Sequence, residues 1–278
     1  MENKYKGFIF MILSATGFSL VGLIIKFLNY LPSQELVFFR SSITLFLVYI
    51  MMIKHKLYNP FKTRYLKLHL IRGIAGALGL SLYFLSFKYL TLAEAVSIQY
   101  TNPLFTALLS PFIAREKVKK TIYISITIAL IGVLLIAKPN PSHFNIGAIF
   151  GLTAALIAGT AYNMVRILNK LKENVFLIIF YFQFMATIIS LPIFYKFQFP
   201  HKEHIILVIL LGIFTHFAQY FLTLGLKYLK AANATSISYL NIGLSTIYSY
   251  VILHESLDIY SFLGIGAIIM SLFITYKV

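Results

Sequence analysis

The side chains best suited to chemistry in this sequence are polar groups set inside long apolar runs: Arg40, Tyr100, Asn102, His216, Gln219, Tyr239 and Asn241. Tyr83, Asn163 and Gln183 share that setting. Amides and phenols offer donors and acceptors without a fixed charge, which suits a small zwitterionic or heterocyclic solute. Catalysis is poorly served. Asp258 is the one aspartate, cysteine is absent, and no HExxH, GxSxG or P-loop pattern occurs. Chemistry on lipid phosphates would require clustered carboxylates around Mg²⁺, and no apolar run holds a paired acidic motif. No catalytic residue, metal site or cofactor is therefore expected. An intramembrane lipid-modifying enzyme and a non-transporting membrane scaffold are the alternatives to solute carriage.

Each polar residue also has a structural reading. Arg40 lies ~7–8 Å along a helix from Glu35 at 1.5 Å per residue, so it either pairs with Glu35 or backbone carbonyls, or meets a solute carboxylate. His216 is either a neutral, hydrogen-bonded imidazole or a central proton site. Asn102 and Asn241 could bond helix to helix or contact solute. Arg72, Arg166, Lys26, Lys88 and Lys227 lie near helix ends, where a long stem can carry its charge to water. Glu116 and Glu255 read as capping and ion-pairing groups, and Glu94 as a helix cap or an attractor of cations at the mouth. Gly73, Gly76 and Gly79 give one helix a thin packing face, and Gly151, Ala154, Ala155, Ala158 and Gly159 do so for another.

Composition shows what must position these groups. Of the 278 residues, 59% are hydrophobic and 12% charged, where a soluble domain has about 25% charged. Lipid is the solvent for much of this surface. Runs of about 20 apolar residues give ten spans: Gly7–Leu28, Gln34–Ile53, Leu66–Lys88, Leu92–Ala114, Thr121–Ala137, Ile146–Leu168, Val175–Tyr195, His204–Lys227, Ala231–Leu253 and Ile259–Tyr276. The first run has no small-residue cleavage site and reads as a retained helix. With no Trp, the 19 Tyr must supply most of any interfacial belt. The net charge of +16 falls between the runs, where it signals topology and meets anionic lipid rather than nucleic acid. Most Lys and Arg fall on one side, with little beyond Lys138, Lys196 and Lys202 on the other. That places both termini in the cytoplasm and the protein in the cytoplasmic membrane.

An internal repeat organises the spans. Phe87–Val118 aligns without a gap on Leu226–Leu257: Lys88-Tyr89-Leu90 meets Lys227-Tyr228-Leu229, Tyr100 meets Tyr239, Asn102 meets Asn241, and Glu116 meets Glu255. Matched Asn, Ser, Tyr and Glu at one offset are not what two merely greasy segments would share. The chain therefore divides into five-helix repeats, 1–139 and 140–278, within one membrane domain. An odd number of spans per repeat inverts the second copy, the architecture of alternating-access carriers. The fold expected is thus an all-α polytopic membrane protein with ten transmembrane helices as two inverted five-helix repeats. Solute would bind near the midplane between spans 1, 3, 4, 6, 8 and 9. With no acidic residue at mid-depth, facilitated transport or exchange is expected, and His216 is the one central proton site. The small and aromatic helix faces would also admit a homodimer.

These residues resemble the EamA-type branch of the drug/metabolite transporter superfamily over nearly the whole chain. The resemblance rests on Glu35-Leu36-Val37-Phe38-Phe39-Arg40, Arg72-Gly73, Phe87 through Ala95, Asn102-Pro103-Leu104-Phe105, and the acidic residues Glu116 and Glu255 closing spans 4 and 9. It implies carriage of a small polar metabolite: amino-acid-like, nucleobase-like or S-adenosylmethionine-like. Spans 3 and 4 are most similar to the subgroup of S-adenosylmethionine carriers. Ile242 stands where the first repeat has Pro103, so any helix-breaking role of that position is not symmetrical.

Overall fold

Backbone amides in hydrocarbon must find partners within their own segment, so apolar runs of this length become helices. The computed structural model of the chain describes residues 2–57, 59–86, 89–90, 92–138, 146–191, 197–254 and 258–278. Their helices are α1 (Glu2–Phe27), α2 (Ser33–Lys54), α3 (Leu66–Ser86), α4 (Leu92–Gln99), α5 (Asn102–Leu109), α6 (Lys120–Ala137), α7 (Ile146–Lys170), α8 (Val175–Ile189), α9 (Ile205–Tyr228), α10 (Ala231–Ile237), α11 (Leu240–Leu253) and α12 (Ile259–Lys277). No strand occurs among the described residues. Seven of these helices, α1, α2, α3, α6, α7, α9 and α12, are long and apolar enough to cross a membrane, and α8 is a shorter apolar helix. On α12, Phe262, Leu263, Met270 and Phe273 are more than half exposed, a face suited to lipid rather than water.

The expected fourth and ninth spans are each two helices. The chain turns at Tyr100–Thr101 between α4 and α5, and at Ser238–Tyr239 between α10 and α11. A break occurs at both places although only the first has a proline, so proline is not the shared cause. Thr101 Oγ1 donates to the Ile98 carbonyl (2.7 Å) and Ser238 Oγ to that of Thr235 (2.6 Å). Backbone bonds at both sites step back three residues: Thr101 to Ile98, and Ser238 to Thr235. A hydroxyl competing for the helical carbonyl tightens the turn in either copy. Further boundaries also differ. α1 begins before Gly7, α5 stops short of Ala114, and α8 ends at Ile189, just before Leu191 is restricted by the following Pro192. Lys88, Lys196 and Glu255, along with the ends of spans 3 and 7, lie outside the described residues.

Packing pairs helices from the two halves of the chain: α1 with α9, α3 with α7, α2 with α8 and α9, α3 with α8, and α6 with α12. The crossing of α6 and α12 is set by glycine. A Cβ on Gly132 would lie 2.7 Å from the Gly264 carbonyl oxygen, and one on Gly264 would lie 2.6 Å from that of Gly132. The two small-residue faces also meet, with Gly79 against the backbone of Ala154 and Ala158. Helix ends are sealed without glycine. Lys56, Arg115, Lys138, Lys172 and His254 take left-handed φ of 46–59°, a strained choice whose basic side chains can offset it at the negative helix end.

Contacts between connections fall at two ends. At one end, the Tyr181 hydroxyl donates to the Pro60 carbonyl, Thr63 and His69 meet Glu173, and Lys230 meets Lys117. At the other, Tyr30 meets His201 and His204, Glu35 meets Gln198, and Lys138 meets Asp258. The first group carries most of the basic residues and is termed the basic end below.

Candidate functional site

The two helix breaks touch. An unbroken helix would use the Tyr100 carbonyl for the amide of Leu104, but that amide turns to Thr101 instead. The freed carbonyl accepts from the Tyr239 hydroxyl at 2.9 Å. Asn241 Nδ2 donates to the Tyr100 hydroxyl at 2.6 Å, and Ser245 Oγ reaches Asn241 Oδ1 at 3.3 Å. The Tyr100 and Tyr239 rings stand 5.9 Å apart. Three of the residues singled out by sequence thus form one hydrogen-bonded cluster drawn from both halves.

Asn102 does not join it. Its Nδ2 bonds back to the Gln99 carbonyl at 2.8 Å, and its buried Oδ1 has no partner among the described residues. The repeat mates therefore serve different ends: Asn241 crosses between halves, and Asn102 serves its own turn. His216 and Gln219 lie on α9, and no hydrogen bond among the described residues joins either side chain to the cluster. His216 Nδ1 and Gln219 Oε1 are buried without partners. Asn163 is structural: it donates to the Thr106 and Gly159 carbonyls and accepts from Ser110 Oγ at 2.8 Å, locking α5 to α7.

Arg40 is 7% exposed and is not paired with Glu35, whose Oε1 accepts from the Gln198 amide. Its guanidinium lies within electrostatic reach of Tyr83 and Tyr162, and Tyr100 lies within reach of those same two phenols. Tyr83, Tyr100 and Tyr162 are each partly buried.

Arg72 corrects the snorkelling expectation. It is 3% exposed, and its guanidinium carbon lies 4.3 Å from the centroid of the Phe182 ring. A Cβ on Gly76 would collide with Arg72 Nη1, so the missing side chain makes room for the guanidinium along its own helix. Residue type alone does not show this, although a glycine four residues after the arginine was a readable signal. Tyr162 was missed as well, because a tyrosine one place before an asparagine looks like ordinary interfacial aromatic content. A buried cation in a membrane costs about 2.5 kcal/mol or more unless it is compensated.

At the basic end the Glu116 carboxylate is fully engaged. Glu116 Oε1 meets Arg166 Nε at 2.8 Å and Lys170 Nζ at 2.9 Å. Its Oε2 accepts from the Ala231 amide at 3.2 Å, capping α10. Arg166 Nη1 also donates to the Leu226 and Lys227 carbonyls. Burial works against the Glu116 carboxylate, but the hydrogen bonds from Lys170 and Arg166 outweigh it and hold its pKa below the ordinary value. At the opposite end, hydrogen bonds from Lys138 and Ser261 hold the exposed Asp258 carboxyl down to about 2. No group of three His, Cys, Asp or Glu suited to a metal occurs among the described residues.

Long apolar helices packed in this way around internal polar groups define a polytopic α-helical membrane protein. A solved crystal structure shares the fold with a TM-score of 0.84, at 17% identity over 96% of this chain and 95% of that one. The family model of the EamA-like transporter family matches residues 5–138 and again residues 145–277. The chain belongs to the EamA-like transporter family. It is 27% identical to the pseudopaline exporter of Pseudomonas aeruginosa over 93% of this chain and 91% of that protein. It is also 27% identical to the S-adenosylmethionine uptake transporter of Rickettsia prowazekii, over 100% of this chain and 95% of that protein. Family and relatives are transporters, which removes the enzyme alternative.

Proposed function

We propose that the protein is an alternating-access carrier of a small, polar, amino-acid-like solute across the cytoplasmic membrane, with both termini in the cytoplasm. Ten crossings follow when α8, the α4–α5 pair and the α10–α11 pair each count once, giving two inverted repeats at 1–139 and 140–278. Three findings support that count. The family model matches twice. Exchanging α1, α2, α3 and α6 with α7, α8, α9 and α12 turns the α1–α9 contact into α7–α3, and returns α2–α8 and α6–α12 to themselves. The breaks fall on repeat mates.

The observation that carries the reading is the meeting of the two breaks. Discontinuous helices joined at a repeat interface are where such carriers bind solute, and a hydrogen-bonded joint between halves can open as one half rocks against the other. Tyr100, Asn102, Tyr239, Asn241, His216, Gln219 and Arg40 are proposed as the solute contacts. Among the candidate classes, the buried Arg40 favours a solute with a carboxylate. Amino acids and S-adenosylmethionine have one, and a bare nucleobase does not.

The decisive experiment is reconstitution, with uptake of a labelled metabolite panel measured with and without a pH gradient. Uptake of a carboxylate-bearing solute above that of empty liposomes supports the carrier. Silence across the panel counts against it. Exchange or facilitated uptake is expected, so strong drive by a pH gradient that persists in His216→Gln would refute the coupling proposal. Single cysteines at Asn59 and Glu203 should label from opposite faces, and labelling of both from outside would sink the inverted topology.

A further inference from the structure

Among the described residues, two buried guanidinium groups form no ion pair. Arg40 on α2 and Arg72 on α3 are both more than nine-tenths buried, and the Nε of each lacks a hydrogen-bond partner. None of the ion pairs among the described residues uses either one. Glu116, Glu173 and Asp258 are engaged elsewhere, and Glu35 accepts from the Gln198 amide through Oε1 while its buried Oε2 has no hydrogen-bond partner among the described residues. Both guanidinium groups lie within electrostatic reach of one phenol, Tyr162 on α7. Tyr162 is thus a neighbour common to both, and the two helices that carry the arginines, α2 and α3, both pack against α8. Arg72 is seated rather than straying, held over Phe182 and in the space left by Gly76.

A structural arginine in lipid normally takes a carboxylate or several carbonyls, as Arg166 does here. Leaving two such groups unpaired is costly unless a ligand completes them. A monocarboxylate would neutralise one and leave the other. A solute with two carboxylates would neutralise both, so that the loaded site could cross the bilayer without excess charge. Each guanidinium presents a planar fork that matches a carboxylate edge. The Tyr162 hydroxyl, within electrostatic reach of both, can offer a neutral hydrogen bond to the same ligand.

We propose that Arg40 and Arg72 form a twin anion site, and that the carried solute bears two carboxylates, one for each guanidinium. This rests on the carrier reading above and narrows it, ranking diacidic solutes ahead of S-adenosylmethionine.

The test uses the full-length protein in liposomes and phenylglyoxal, which modifies accessible guanidinium groups, with each site read by peptide mass spectrometry. The probes are succinate, glutarate and adipate, which vary the carboxylate spacing, against butyrate and the uncharged succinamide. At least one diacid should halve modification at both Arg40 and Arg72 at a concentration tenfold or more below that of butyrate, with no protection by succinamide. In Arg72→Gln, diacid and butyrate should protect Arg40 within twofold of each other, whereas Arg72→Lys should keep the diacid preference. Equal protection by mono- and diacids in the natural protein, protection by succinamide, or no reaction at either arginine would overturn the twin site. The natural protein decides the matter even if Arg72→Gln fails to fold. The two proposals also fail separately. Uptake without diacid preference retains the carrier and loses the twin site, and diacid preference without uptake on any solute does the reverse.

Discussion

Glu116 and Arg40 are buried to the same degree, 6% and 7% exposed, yet their surroundings are opposite. Around Glu116 every charge has an answer: Arg166, Lys170 and the Ala231 amide surround one carboxylate. Around Arg40 and Arg72 there are phenols and a phenyl ring, but no carboxylate among the described residues. Burial alone therefore does not distinguish a structural charge from a functional one. Saturation does. On the proposal above, a saturated charge holds helices in one arrangement, and an unsaturated one keeps a place for the solute.

The strongest way to break this contrast is to neutralise one member of each region. Glu116→Gln leaves two cations short of a partner and should lower stability by about 3 kcal/mol, the scale for breaking a buried pair. Arg40→Met, which removes an unpaired charge, should leave the melting temperature level or higher while abolishing uptake. Equal losses of melting temperature would erase the distinction. The pH dependence sharpens the same point. The folded pKa of Glu116 lies below its unfolded one, so its contribution is full above the ordinary carboxylate value of about 4.3 and is lost as pH falls through the folded value. Acid unfolding followed by circular dichroism should show that loss, and Glu116→Gln should flatten it.

Neutral groups give a smaller version of the contrast. Asn163 uses its amide on three partners between α5 and α7, so Asn163→Ala should cost about 2 kcal/mol by leaving buried groups unmet. Asn102 makes one bond within its own turn and leaves Oδ1 unmet. Asn102→Ala should cost at most about 1 kcal/mol while weakening solute affinity in an uptake assay at limiting concentration. Normal uptake in that variant would remove Asn102 from the site. The smallest effect is expected at Asp258, which is paired with Lys138 but exposed. Asp258→Asn should not shift the melting temperature measurably, because water already solvates both partners.

Much of this was legible in one dimension. Apolar runs of bilayer length specify helices because hydrocarbon leaves the backbone no other partner, and seven of the spans are helices long enough to cross. The match of Tyr100 and Asn102 to Tyr239 and Asn241 at one offset was readable. The symmetry of the breaks was not. Pro103 drew attention as a breaker, while Thr101 and Ser238, the hydroxyls common to both turns, look like ordinary small polar residues.

Composition and periodicity by themselves determined a multi-pass helical membrane protein, because lipid constrains every helix in the same way wherever its neighbours lie. Tertiary structure alone decided which polar groups are satisfied. Arg72 and Arg166 look alike in sequence, each a basic residue near one end of an apolar run. Arg166 meets Glu116 and two carbonyls, and Arg72 meets Phe182. That difference depends on which helices α3 and α7 pack against. A charge acts on whatever stands within a few ångströms, and in a bundle those neighbours come from segments distant in the chain.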